Sequence, residues 1–152
     1  IIVNLQGDMP NIKPKAIADL INYMKQGECA IGTLASEFQS ISELEDQNIV
    51  KVCVKKKMEP GIFVEASDFV RVNPKKDYHI YHHIGIYAFT NKALKKFVSL
   101  KRSKLELDRK LEQLRAMENN LPIHVGYINS PPLSVDTQRD LNNIKRLMEK
   151  NE

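Results

Sequence analysis

No stretch of the 152 residues reaches the roughly 18 consecutive apolar positions of a membrane span, so no membrane insertion is expected. No charged-then-apolar leader opens the sequence, which makes a cytoplasmic protein the expectation. Cysteine is scarce, and Cys29 and Cys53 sit in apolar surroundings without CxxC spacing or a His cluster. Buried, reduced thiols are expected, with neither a disulfide framework nor a zinc site. The lysine pairs and triplets (Lys55 to Lys57, Lys75-Lys76, Lys95-Lys96) lack the interleaved aromatics and Arg clusters of a nucleic-acid surface. They read as solvated faces, and the net charge of +4 can steer anionic small substrates without implying a nucleic-acid partner. Internal repeats and low-complexity linkers are absent, so residues 1–152 are read as a single domain.

What is present is the mixture of a globular core: 42% hydrophobic and 28% charged residues. Ile1 to Leu5 is apolar on both faces, as in a central parallel strand that needs neighbours. Pro14 opens a helix with Ile17, Leu20, Ile21 and Met24 as its apolar stripe, and Gly27 ends it. Strands are expected over 29–35, 49–54, 81–89 and 123–128, and a short helix or loop over 40–46. Pro60 to Asp77 reads as an excursion from the main sheet. Thr90-Asn91 caps a helix bearing Leu94 and Phe97. Ser103 with Glu106 forms a capping box for one helix running through Leu107, Leu111 and Leu114, and Thr137 with Asp140 forms another for a last helix. The alternation predicts an α/β fold, a mainly parallel mixed sheet flanked by helices.

Ligands in open α/β sheets bind beyond the carboxyl ends of strands, where Gln6-Gly7-Asp8 falls. Asp8 is either an ordinary turn acid or a carboxylate presented into that crevice. Asp136 similarly either caps the helix that follows it or, converging with Asp8, forms an oxygen site for a hard cation such as Mg²⁺. His82 and His83 are adjacent and point to opposite faces of a strand, which excludes a simple joint metal site. His83, Gly85 and Tyr87 share one face, as a pocket with a polar group on either side or as two half-buried polar side chains at a sheet edge. Glu112, Gln113 and Arg115 on the helix starting near Ser103 need no role beyond a solvated surface.

The segments "IIVNLQGDMPNI", "HHIGIYAFT", "LEQLRAMENN" and "SVDTQRDL" occur in the order and approximate spacing of 3-deoxy-manno-octulosonate cytidylyltransferases, the CMP-Kdo synthetases. The resemblance spans essentially the whole chain. It implies a nucleotide-diphospho-sugar transferase-like fold, usually dimeric, that converts Kdo and CTP to CMP-Kdo and pyrophosphate for lipopolysaccharide synthesis. It further implies Mg²⁺ ligation by Asp8 and Asp136, and sugar contacts from Gln6, His83, Tyr87, Glu112 and Gln113. Two other readings compete: a cytidylyltransferase for another acidic sugar such as sialic acid, and a truncated sugar-binding or dimerisation module without catalysis.

The chain departs from the family twice. The family's Arg- and Gly-containing nucleotide loop, part of its amino-terminal half, is missing before Ile1, so the chain reads as a partial cytidylyltransferase domain that is inactive without that half. Asp68 stands where the family carries a base. Such a charge reversal beside an anionic sugar is expected to weaken binding unless Arg71 or a lysine from Lys55 to Lys57 compensates.

Overall fold

The structure is a computed structural model that describes residues 1–74, 77–129, 131–135 and 137–149. Strand β1 (Ile2–Asn4) is followed by helix α1 (Pro14–Lys25), strand β2 (Ile31–Ser36), helix α2 (Ile41–Glu45) and strand β3 (Lys51–Val54). Strands β4 (Phe63–Val70) and β5 (His79–Phe89) come next, then helices α3 (Asn91–Ser99), α4 (Lys104–Arg109) and α5 (Leu114–Glu118), strand β6 (Ile123–Tyr127) and helix α6 (Gln138–Glu149).

The six strands form one sheet in the order β1-β5-β2-β6-β4-β3, and β3 also pairs with the first part of β5. This corrects the expected mainly parallel sheet: among the named strands only β2 and β6 run parallel. Every other pairing is antiparallel. The cause is the eleven-residue β5, which is long enough to pair with β1, β2 and β3 in turn, all in the antiparallel sense. β1 is correspondingly an edge strand, not a central one, and its Ile2 is 38% exposed.

The expected excursion is also corrected, since β4 lies within the sheet between β6 and β3. A register shift between Cys53 and Val54 opposes Asp68 and Ala66 to successive β3 residues. The resulting bulge breaks the period-two pattern that marks a strand, so the buried Ala66 and Phe69 stand three residues apart.

Helix α1 covers one face. It starts on Pro14, buries Ala16, Leu20 and Met24, and stops before Gly27, whose φ of +81° suits a residue without Cβ. Its packing is close: a Cβ on Gly32 would stand 2.8 Å from Leu20 Cδ1 and 2.9 Å from Met24 Sδ. Leu34, Ile84, Ile86 and Ala88 complete that core. Against the other face pack Ala93, Leu111, Leu114 and Ala116, over Ile31, Phe69, Phe89 and Val125. Both cysteines are buried and free, and burial pushes each thiol up to about 11, so neither is a thiolate at neutral pH.

The helix expected to run from Ser103 past Leu114 is two helices. Ser103 and Glu106 form the capping box as expected, but Lys110 turns left-handed at φ 54° and ends α4. Glu112 and Gln113 therefore lie in the link before α5, while Leu107, counted in the apolar stripe, is 50% exposed. At the last helix the Thr137 and Asp140 side chains exchange capping bonds with each other's backbone N–H, as the spacing predicts.

Candidate functional site

Gln6 and Asp8 lie in the turn that leaves β1. Asp8 is half-buried, and its Oδ1 is shielded from solvent without a hydrogen-bond partner. A buried carboxylate oxygen left this way has lost its water for no partner in the protein, and a cation is one partner that it could take. Residues 131–135 return to the same turn: Val135 N–H donates to the Asp8 carbonyl at 2.8 Å, and Leu133 N–H to Asn11 Oδ1 at 2.8 Å. Asp136 follows Val135 in the chain and lies outside the described residues. Among the described residues no group of three or more His, Cys, Asp or Glu side chains gathers around a common point.

His83, Gly85 and Tyr87 share a face of β5, as strand alternation predicts, and all three line one cavity of about 690 Å³. The pairing of β5 with β2 slips here: Thr33 opposes Tyr87, and the next residue, Leu34, opposes Ile84. Gly85 and Ile86 are thus surplus on β5, forming a bulge beneath the cavity. Thr33, fully buried, reaches into this bulge, its Oγ1 lying 2.7 Å from Ile86 O, 3.1 Å from Ile84 O and 3.0 Å from His83 Nε2.

Burial dominates the chemistry of both β5 side chains. It lowers the His83 imidazole to about 3, with the neighbouring His82 adding a smaller push, so His83 is neutral at physiological pH. Burial likewise raises Tyr87, helped by the Glu112 charge, and keeps the phenol protonated. Its hydroxyl is buried without a partner. Gly85 leaves the floor between them open, since an added Cβ would meet only Met9 Cε at 3.7 Å.

The α4–α5 link supplies the opposite wall. Glu112 and Gln113 line the same cavity, as does Gln6. Five expected sugar residues from three distant segments therefore meet in one place. Glu112 is held by Arg115, whose Nη2 donates to Glu112 Oε1 at 3.2 Å and to the buried Glu106 at 2.6 Å. Apolar side chains including Phe89, Phe97 and Leu111 form the rest of the wall, and Arg71 and Lys110 bring positive charge to it. A second groove, of about 880 Å³ beside α1, holds none of the described candidates, so size alone does not select the site.

Asp68 does not line the cavity. Its Oδ1 accepts from Arg109 Nη1 at 2.8 Å, so the charge expected to repel an anionic sugar is paired with a cation at the end of α4. Of the cations expected to compensate, Arg71 lines the cavity, and its Nη1 donates to the carbonyls of Gln47 and Asn48 at 3.2 Å each. Lys55 to Lys57 are not part of that wall. Sequence reasoning passed over Thr33; the signal was a hydroxyl inside the otherwise apolar run Ile31 to Ala35.

This fold is that of the α/β nucleotidyltransferases. A synthetase of CMP:2-keto-3-deoxy-manno-octonic acid complexed with CTP superposes with a TM-score of 0.84 at 28% identity, covering 99% of this chain and 62% of that one. The UTP-bound UGPase of Acinetobacter baumannii shares the fold at TM-score 0.61 and 9% identity, over 86% of this chain and 44% of that one. The cytidylyltransferase family profile matches residues 1–123, and the chain belongs to that family. It is 42% identical over 148 residues to the 3-deoxy-manno-octulosonate cytidylyltransferase of Bartonella tribocorum, covering 97% of this chain and 60% of that protein. The enzyme of the same name from Bradyrhizobium sp. is 40% identical over 151 residues, covering 99% of this chain and 61% of that protein. The chain thus spans about 60% of the length of these curated relatives.

Proposed function

We propose that this chain forms the sugar-acid and metal portion of a cytidylyltransferase that couples Kdo to CTP, giving CMP-Kdo and pyrophosphate for lipopolysaccharide synthesis. One observation carries the reading: Gln6, His83, Tyr87, Glu112 and Gln113 line a single cavity whose Tyr87 hydroxyl is buried without a protein partner. A polyhydroxylated ligand supplies that partner, and the neutral His83 and the Gln113 amide offer further bonds to hydroxyls. Arg71 and Lys110 offset the charge of the sugar carboxylate. The names of the relatives point to the same sugar.

In the reaction a Kdo hydroxyl oxygen bonds to the α-phosphorus of CTP, the bond from that phosphorus to the bridging oxygen breaks, and pyrophosphate leaves. The hydroxyl proton passes to solvent. The residues here need only hold the sugar with that oxygen in line, which is why no nucleophile or triad is required. Mg²⁺ fits the unpartnered Asp8 Oδ1, with Asp136 as its expected second ligand, and when bound offsets phosphate charge and positions the nucleophile. We place the enzyme in the cytoplasm as a homodimer.

The test is pyrophosphate release from CTP, Kdo and Mg²⁺ by a protein that restores the length of its relatives. Turnover is expected with Kdo and not with a sialic acid. Asp8→Asn and Asp136→Asn should each abolish it. Unchanged rates in both variants would remove the metal assignment, and faster turnover of sialic acid would remove the sugar assignment.

A further inference from the structure

Thr33 has one hydroxyl hydrogen and three partners within hydrogen-bond distance. Two of them, the carbonyls of Ile84 and Ile86, can only accept, and the shorter contact is 2.7 Å to Ile86 O. The hydrogen therefore goes to a carbonyl, leaving the Thr33 oxygen as an acceptor toward His83 Nε2 at 3.0 Å. A neutral imidazole carries one N–H, and this contact places it on Nε2. The other nitrogen, Nδ1, makes no hydrogen bond to the described residues, and His83 lines the cavity.

We infer that Thr33 is a positioning residue: it locks His83 as the Nε2–H tautomer, so that Nδ1 presents a lone pair to the cavity opposite the donating Tyr87 hydroxyl. The two ring centroids are 5.5 Å apart, close enough for one ligand to meet both. His83 then accepts from a hydroxyl that must carry hydrogen, and Tyr87 donates to an oxygen beside it. The site selects an adjacent donor and acceptor pair, the pattern of a polyol, and rejects a deoxy analogue at the His83 position. This rests on the sugar-site reading for its ligand, but the tautomer is a property of the protein alone. The β5 bulge makes the device possible, because it carries the Ile84 and Ile86 carbonyls to the Thr33 hydroxyl while leaving His83 and Tyr87 on one face.

The test is the ring ¹⁵N spectrum of the chain labelled at its four histidines, with His83 assigned by the signal lost in His83→Gln. At neutral pH, His83 is expected to show a protonated, pyrrole-type Nε2 and an unprotonated, pyridine-type Nδ1. Thr33→Ser should preserve that pattern. Thr33→Val, which keeps the shape and removes the acceptor, should move the two nitrogens toward each other as the second tautomer populates. A wild-type His83 protonated at Nδ1, or a Thr33→Val spectrum identical to wild type, overturns the proposal. If Thr33→Val does not fold, the wild-type and Thr33→Ser patterns decide it. Addition of Kdo should shift Nδ1 and leave Nε2 nearly in place. The correct tautomer with no response to Kdo removes the sugar reading and keeps the positioning role.

Discussion

Two polar regions meet across Arg115, and they are built on opposite principles. Around Glu106 every buried oxygen is answered: Arg115 donates from Nε and Nη2, Arg102 from Nε, and Ser103 from its backbone N–H. Those bonds, Arg115 first, pull the Glu106 carboxyl down to about 2 despite its burial. Lys51 follows the same rule, fully buried with its ammonium on the carbonyls of Asp46, Ile49 and Arg71. In and beside the cavity the rule fails, since Tyr87 Oη and Asp8 Oδ1 are buried and unanswered. A third such atom, His82 Nδ1, has Glu43 Oε2 at 3.7 Å. Saturated polar groups hold the fold together, whereas the unanswered Tyr87 and Asp8 oxygens are the ones we propose meet a ligand.

Removing a saturated group should cost most. Glu106→Ala strands the Arg115 guanidinium, only 12% exposed, and should lower stability by about 3–5 kcal/mol in chemical denaturation. The same pairing predicts acid sensitivity. Because the folded carboxyl lies below its unfolded value of about 4.3, its contribution is complete above that pH and is lost as pH falls toward 2.

His83 provides a second, separable pH effect. Its folded value of about 3 lies below the unfolded value of 6.5, so between these the unfolded chain holds the extra proton. His83 alone should therefore make stability fall by about 1.4 kcal/mol per pH unit on acidification through that window, and His83→Gln should remove that share and leave the slope of His82, whose imidazole burial also lowers.

The unsaturated groups should respond with the opposite sign or not at all. Tyr87→Phe deletes a buried hydroxyl that bonds to nothing, so stability should stay level or rise by about 1 kcal/mol while sugar binding falls. Asp8→Asn should change unliganded stability by no more than about 0.5 kcal/mol, but abolish any rise in melting temperature produced by Mg²⁺.

Local chemistry was legible in the sequence. Pro14, Thr90, Ser103 with Glu106, and Thr137 with Asp140 announce helix starts through bonds made within a few residues. Long-range chemistry was not. β4 was hidden because its bulge breaks the alternation, and the sheet was misjudged because nothing local tells that β5 pairs antiparallel with three strands. At the cavity, strand alternation put His83 and Tyr87 on one face, and only the family resemblance added Gln6, Glu112 and Gln113 to the residues that line it, whereas the left-handed Lys110 that places Glu112 and Gln113 in a link was invisible. Thr33 was missed because a Thr in a strand is ordinary until its partners across the bulge are known.

The distinction between saturated and unsaturated polar groups is tested most directly by calorimetric titration of Kdo into this chain and its Tyr87→Phe variant. Kdo should bind the wild type and bind the variant about tenfold more weakly, the loss of one buried hydrogen bond, while the variant is at least as stable. Equal affinity for the two proteins, or a variant that is less stable than the wild type, would contradict the account.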